Sequence, residues 1–256
     1  MLIDGCDKIR INFSNYDIKV SASNEDKVRV VQSSSERISR EEKMTVTREG
    51  RCINIRGNEK SLYFNLFNFG SSSNKIEIYI PRNYHQDLEL ATTSGDIEIL
   101  DELELNNLTC SQVSGDLEVK RNLCINNFTS KTTSGDMEIP KLEAKSYKMS
   151  TISGDINIRN LSGSGEISST SGDINLNSLK LSEYINIKSI SGDIDVSAPD
   201  NTGFVFEANT VSGDIDSDFN MYYKNKRGNK AEITYGDGPY KKISVSTVSG
   251  DINLNK

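Results

Sequence analysis

Ser94-Gly95-Asp96-Ile97-Glu98-Ile99 is the stretch that decides the fold, because it comes back. Ser-Gly-Asp stands again at Ser114-Gly115-Asp116, Ser134-Gly135-Asp136, Ser153-Gly154-Asp155, Ser171-Gly172-Asp173, Ser191-Gly192-Asp193, Ser212-Gly213-Asp214 and Ser249-Gly250-Asp251. The glycine-to-glycine steps are 20, 20, 19, 18, 20, 21 and 37 residues. A period of this length marks a repeat architecture in which no single unit can bury its apolar face alone. Around each serine, apolar and polar residues alternate. Leu88 and Leu90 precede the first copy, and Ile97 and Ile99 follow it; Ile185, Ile187, Ile194 and Val196 do the same around the sixth. Period two is the strand period, so a short strand is expected on each side of every tripeptide. Several units add a third pair: Leu103 and Leu105, Leu123 and Ile125, Leu142 and Ala144, Leu179 and Leu181. Three short strands per unit predict an all-β fold, a parallel β-solenoid of the β-helix kind with coils of about 20 residues. Nothing reads as a long amphipathic helix.

The tripeptide suits a sharp corner. Glycine reaches positive φ without a Cβ clash, and Asp and Ser side chains bond nearby backbone N–H groups as local turns. Coils stack about 4.8 Å apart, so the eight aspartates are expected to form a column. Carboxylates about 5 Å apart repel by roughly 0.8 kcal/mol in water, so each must accept local hydrogen bonds or face the solvent. A calcium ladder is the rival reading. It belongs to repeats with glycine-rich nonapeptide loops, which this chain lacks, so neither metal nor cofactor is expected.

These residues resemble a known family. The Ser-Gly-Asp-Ile-x-Ile units look like the bacterial Toastrack (DUF4097) β-repeat family, whose members carry the name "putative adhesin". Lys75-Ile-Glu-Ile-Tyr-Ile-Pro81 followed by Leu88 to Asp96 is similar to its lead-in to the repeats. Tyr235-Gly-Asp-Gly-Pro-Tyr240 followed by Ile243 to Ile252 is similar to its closing motif. The resemblance covers about residues 75 to 256 well and the first 74 loosely. It implies a β-repeat fold and an adhesion or envelope-stress setting, and it brings no catalytic residues with it.

Bulk composition excludes some classes. The 256 residues carry a formal net charge of −7, which disfavours nucleic acid and anionic lipid as partners. Hydrophobic residues make up 35%, low for a globular core and acceptable for a rod of narrow coils. Four cysteines, Cys6, Cys52, Cys110 and Cys124, form no Cys-x-x-Cys, and His85 is the single histidine, so no zinc site is expected. Cys110 falls at an inward position and Cys124 at an outward one. An exposed thiol fits a reducing compartment. The first residues, Met1 to Arg10, do not read as a signal peptide, and no apolar run is long enough to span a membrane. The cytoplasm is therefore expected, with the cell surface or secretion as the alternative for a truncated or processed form.

Two divisions are expected. Residues 1–74 hold short irregular strands, as opening coils or a cap; there Asn15-Tyr16-Asp17-Ile18-Lys19-Val20 looks like a decayed Ser-Gly-Asp-Ile-x-Ile. Residues 75–256 form the solenoid, with a hairpin inserted at about 218–242. Two stretches stand out as candidate partner-binding sites. One is Leu62 to Phe69, with Tyr63, Phe67 and Phe69 on one side of a strand and Leu62, Phe64 and Leu66 on the other. It reads as a cap over the solenoid end or as a sticky patch for a second copy or another partner. The other is the hairpin, where Tyr222, Tyr223, Lys224 and Arg227 would suit an acidic polymer. No nucleophile elbow, P-loop or dinucleotide fingerprint occurs. A Ser-His-Asp triad would have to use His85, which reads as a surface loop residue. The expected role is therefore a non-catalytic scaffold that presents side-chain ladders to a protein or envelope polymer. The alternative is a polysaccharide-active β-helix enzyme using an acidic pair such as Asp214 and Asp216.

Overall fold

Alternating Ile-x-Ile runs have no helical face to bury, and they form strands throughout. The computed structural model describes residues 1–35, 38, 43–57, 74–198, 203–220, 222–223 and 229–256. Among them lie twenty-two strands in one sheet and no helix.

The strands after the tripeptides stack in parallel and in the repeat's own register. Ile97 pairs with Leu117, Leu117 with Met137, Met137 with Ile156, Ile156 with Ile174 and Ile174 with Ile194. The strands before them do the same, in the order Leu88, Leu108, Phe128, Tyr147, Gly165 and Ile185. The third pairs stack as Leu103, Leu123, Leu142, Leu161 and Leu179. A one-residue slip would turn every isoleucine outward, so burial of these columns fixes the register. All but Gly165 belong to one continuous apolar core. Gly165 breaks a column of large residues for a reason of space. A Cβ at Gly165 would overlap the Tyr147 carbonyl oxygen and crowd its ring.

The chain does not stack in sequence order at either end. Lys8–Phe13 lies between Cys52–Arg56 and Asp87–Ser94, parallel to both. Asp17–Ser23 lies between Asn74–Pro81 and Ile97–Ile99. There Ile18 pairs with Ile97 and Val20 with Ile99, as the decayed repeat requires. At the other end Lys241–Ser246 lies between Leu179–Lys188 and Phe204–Asn209, and Ile252–Asn255 between Ile194–Ser197 and Ile215–Ser217. The eighth Ser-Gly-Asp therefore sits between the sixth and the seventh, and the serine column runs Ser191, Ser249, Ser212. The sequence steps alone imply simple succession, and the structure corrects that.

Antiparallel strands cover both ends. Arg29–Ser34 lies on Asn74–Pro81 and Thr45–Glu49 on Cys52–Arg56. Lys230–Tyr235 lies on Phe204–Asn209 and pairs on its far side with Tyr222–Tyr223. Beneath that hairpin Phe204, Phe219 and Tyr235 pack with ring centroids 4.7 to 5.5 Å apart. Such strands end a parallel stack and cover the open side of its last layer. The expected cap at Leu62 to Phe69 lies outside the described residues.

Candidate functional site

The corner column is where most of the recurring polar chemistry gathers. Asp116 N–H donates to Asp96 Oδ1 at 2.9 Å, and Asp136, Asp155, Asp173, Asp193 and Asp251 N–H each donate to Oδ1 of the preceding aspartate at 2.8 Å. Asp214 N–H closes the file on Asp251 Oδ1, and Asp96 N–H opens it on Asp17 Oδ1 at 3.1 Å. Sequence reasoning expects each carboxylate to bond its own turn. The structure shows it bonding the next layer instead, because 4.8 Å stacking brings that N–H within reach. The mutual repulsion of the carboxylates is offset by a charge-assisted bond per layer. Calcium is not needed for that balance. Titration calorimetry with calcium is expected to show no stoichiometric heat, and EDTA to leave Tm unchanged; a rise of several degrees with calcium would contradict this. Among the described residues no group of three or more His, Cys, Asp or Glu is arranged to hold a metal ion.

The glycines answer to two demands. Gly115, Gly135, Gly154, Gly172, Gly192, Gly213 and Gly250 have φ between 120° and 152°, which L side chains rarely adopt. A Cβ at Gly154 would also overlap the Gly135 carbonyl oxygen of the neighbouring layer. Gly95 lies outside that φ range, yet a Cβ there would overlap the Tyr16 carbonyl.

Two further rows flank the corner. Two residues before each serine runs a buried polar row, Thr92, Gln112, Thr132, Thr151, Ser169, Ser189, Thr247 and Thr210. At its ends the side chains bond corner carbonyls: Gln112 Nε2 to Gly95 O at 3.2 Å, Thr210 Oγ1 to Gly250 O at 3.1 Å. One residue before each serine runs an outward row of β-branched side chains, including Val113, Ile152, Ile190, Val248 and Val211, all exposed. Alternation alone assigns this position to the solvent face, and sequence reasoning missed it. The signal was that all eight copies, starting with Thr93, place Thr, Val or Ile there.

A depression beside the third strands is lined by His85, Glu104, Cys124, Glu143 and Lys180. His85 Nδ1 lies 3.0 Å from the Glu104 carbonyl oxygen, so its ring is tied to the backbone. Cys124 is exposed and Cys110 buried, as their alternation predicts. Burial pushes the Cys110 thiol up to about 12, out of reach of neutral-pH chemistry. Burial also raises the Tyr147 phenol, whose hydroxyl has no hydrogen-bond partner. Of the candidate contacts, Tyr222 and Tyr223 lie in the short strand on Lys230–Tyr235. Tyr63, Phe67, Phe69, Lys224 and Arg227 lie outside the described residues.

Comparison with known proteins bears on the whole chain. The Toastrack DUF4097 family model matches residues 6–255. A "putative adhesin" from Bacteroides fragilis shares the fold with a TM-score of 0.55 at 14% identity, over 97% of this chain and 92% of that one. A "putative lipid binding protein" from Parabacteroides distasonis gives 0.54 at 17% identity, over 98% and 93%. A "putative cell adhesion protein" from Clostridium sporogenes aligns over 100% and 95% at 13% identity with a TM-score of 0.32. At these identities the likeness concerns the fold alone. No curated protein matches the chain. No helix among the described residues is long and apolar enough to cross a membrane.

Proposed function

The chain belongs to the Toastrack DUF4097 family, and from that premise we propose that it is a non-catalytic repeat scaffold that binds a partner through side-chain ladders. The corner column carries this reading. Each aspartate of the recurring motif holds the N–H of the next layer, so the motif is occupied in joining layers and the rows around it are presented in regular order. The names of the two fold neighbours, an adhesin and a lipid-binding protein, favour binding over turnover. A protein or an envelope polymer is the proposed partner class, in an adhesin-like or envelope-stress-associated role. Each unit of about 20 residues is read as one coil of a β-solenoid. Residues 1–74 are read as opening coils or cap, and residues 75–256 as the solenoid with its hairpin at about 218–242. The proposed contacts are Tyr222, Tyr223, Lys224 and Arg227 on that hairpin. Tyr63, Phe67 and Phe69 are proposed to serve a partner or self-association. The cytoplasm is the proposed compartment, supported by the exposed Cys124 thiol. The cell surface or secretion is the alternative for a truncated or processed form.

Purified protein mixed with soluble bacterial envelope polysaccharides tests the reading. Retarded migration of a polymer without new reducing ends is the expected result. Release of reducing ends that survives His85→Ala and is lost in Asp214→Asn/Asp216→Asn would overturn it in favour of a polysaccharide-active enzyme.

A further inference from the structure

The row just before the serines is an unusual thing to leave in water. Val113, Ile152 and Ile190 are 52%, 51% and 52% exposed, Val248 48% and Val211 67%. Their order along the stack is fixed by backbone bonds between layers: Ser171 N–H to Ile152 O, Ser249 N–H to Ile190 O and Ser212 N–H to Val248 O, each 2.8 to 2.9 Å. Thr93 is exposed and Thr133 and Thr170 are half-buried in the remaining layers, so the row counts eight residues. Seven steps of about 4.8 Å make it roughly 34 Å long. Single exposed apolar residues need no explanation, whereas an aligned file of them marks a contact surface.

Charge names the partner. Three residues along from the ridge, across the corner, runs the aspartate file. Its Oδ1 atoms are engaged within the stack. No described lysine or arginine forms an ion pair with any of these aspartates, although ion pairs are plentiful elsewhere, as in Lys148–Glu166 and Lys242–Glu207. An apolar ridge beside an uncompensated anionic file complements a surface that pairs an apolar stripe with a cationic one. Such a file repels a second copy of itself and an anionic lipid surface. The backbone of the corner is closed as well. Gly154 N–H donates to Ser171 O and Ile156 N–H to Asp173 O, and the neighbouring layers repeat this. Strand addition therefore finds no free edge along the ridge, and a partner must bind through side chains on a preformed face.

We propose that this corner docks a basic amphipathic α-helix, its apolar stripe on the β-branched ridge and its Lys or Arg flank over the aspartate file. A helix of about 23 residues spans the ridge at 1.5 Å per residue. The proposal rests on the scaffold reading and names the chemistry of its partner.

The probe is a synthetic 23-residue Leu/Lys peptide with one leucine stripe, labelled for fluorescence polarisation. Its controls are a scrambled peptide of equal composition and a Leu/Glu analogue. Binding of the striped Leu/Lys peptide alone is expected, weakening as salt rises. Val113→Ser/Ile152→Ser/Ile190→Ser should weaken it at least tenfold while leaving the folded spectrum intact. Asp155→Asn/Asp173→Asn keeps the Oδ1 acceptors and removes two charges, and should weaken it by a similar factor. Equal binding of the scrambled peptide, indifference to both sets of substitutions, or no binding would each overturn the proposal. So would binding to phosphatidylglycerol vesicles in place of the peptide. The polysaccharide assay reads the scaffold function separately, so a failure here leaves that result standing.

Discussion

Gly154→Ala is expected to lower stability by ~2–6 kcal/mol, several times the ~1–2 kcal/mol expected for Gly50→Ala. Both glycines have positive φ, 141° and 59°. Gly50 has nothing within 4 Å of a new Cβ, so alanine there meets only the backbone strain. At Gly154 the same methyl overlaps the Gly135 carbonyl and crowds Asp136 Oδ1, the atom that holds Asp155 N–H. One methyl thus forces two layers apart and strains the aspartate bond between them. Urea unfolding of the two variants beside the parent makes the comparison. Equal losses would mean that the layers yield easily and that φ alone makes glycine necessary.

Removing residues 241–256 should have the larger effect, because it takes out an inner layer. Ile243, Val245, Ile252 and Leu254 are at most 3% exposed. Four such side chains are worth roughly 6–12 kcal/mol. Their loss also uncovers Ile185 and Ile187 on one side and Phe206 and Ala208 on the other. The expected outcome is a folded stack up to about residue 198 with 203–235 detached, seen as new protease cleavage there and as binding of a hydrophobic dye. Full protease resistance would mean that Phe204–Asn209 closes directly on Leu179–Lys188 and that the inserted layer is dispensable.

That second experiment also marks the limit of what pattern reading can find. The Ser-Gly-Asp period and the inward columns were legible because burial punishes any slip of register. The order of the last two copies was not. Ile194, Ile215 and Ile252 open their strands alike, and only Ser217, where the others place Val196 and Leu254, sets the seventh unit apart. In the structure Lys230–Tyr235 takes one edge of Phe204–Asn209, which leaves a single edge for the parallel neighbour Lys241–Ser246. The aspartates were legible as corner residues, but their partners were not, since the bonded N–H belongs to the next layer, 18 to 20 residues away along the regular stack. Gly165 stands where neighbouring units place large residues, and the structure explains it through the Tyr147 carbonyl and ring. The β-branched ridge lay in plain view as a column that alternation assigns to solvent.

The inserted layers bear on how the chain is made. Residues 8–23 leave the ribosome before their partners on either side, 52–56 and 87–94 for one strand and 74–81 and 97–99 for the other. At the far end Phe204–Asn209 emerges with its parallel neighbour still unmade, because Lys241–Ser246 follows it. Contacts such as Ser191 with Ser249 close across 58 residues at this end, and Asp17 with Asp96 across 79 at the other, separations that slow folding relative to layer-by-layer zipping. The middle repeats can zip layer by layer as they appear. The stack can be completed only once residues 241–256 have emerged, so a chain cut short by interrupted translation leaves an unfinished end rather than a shorter rod.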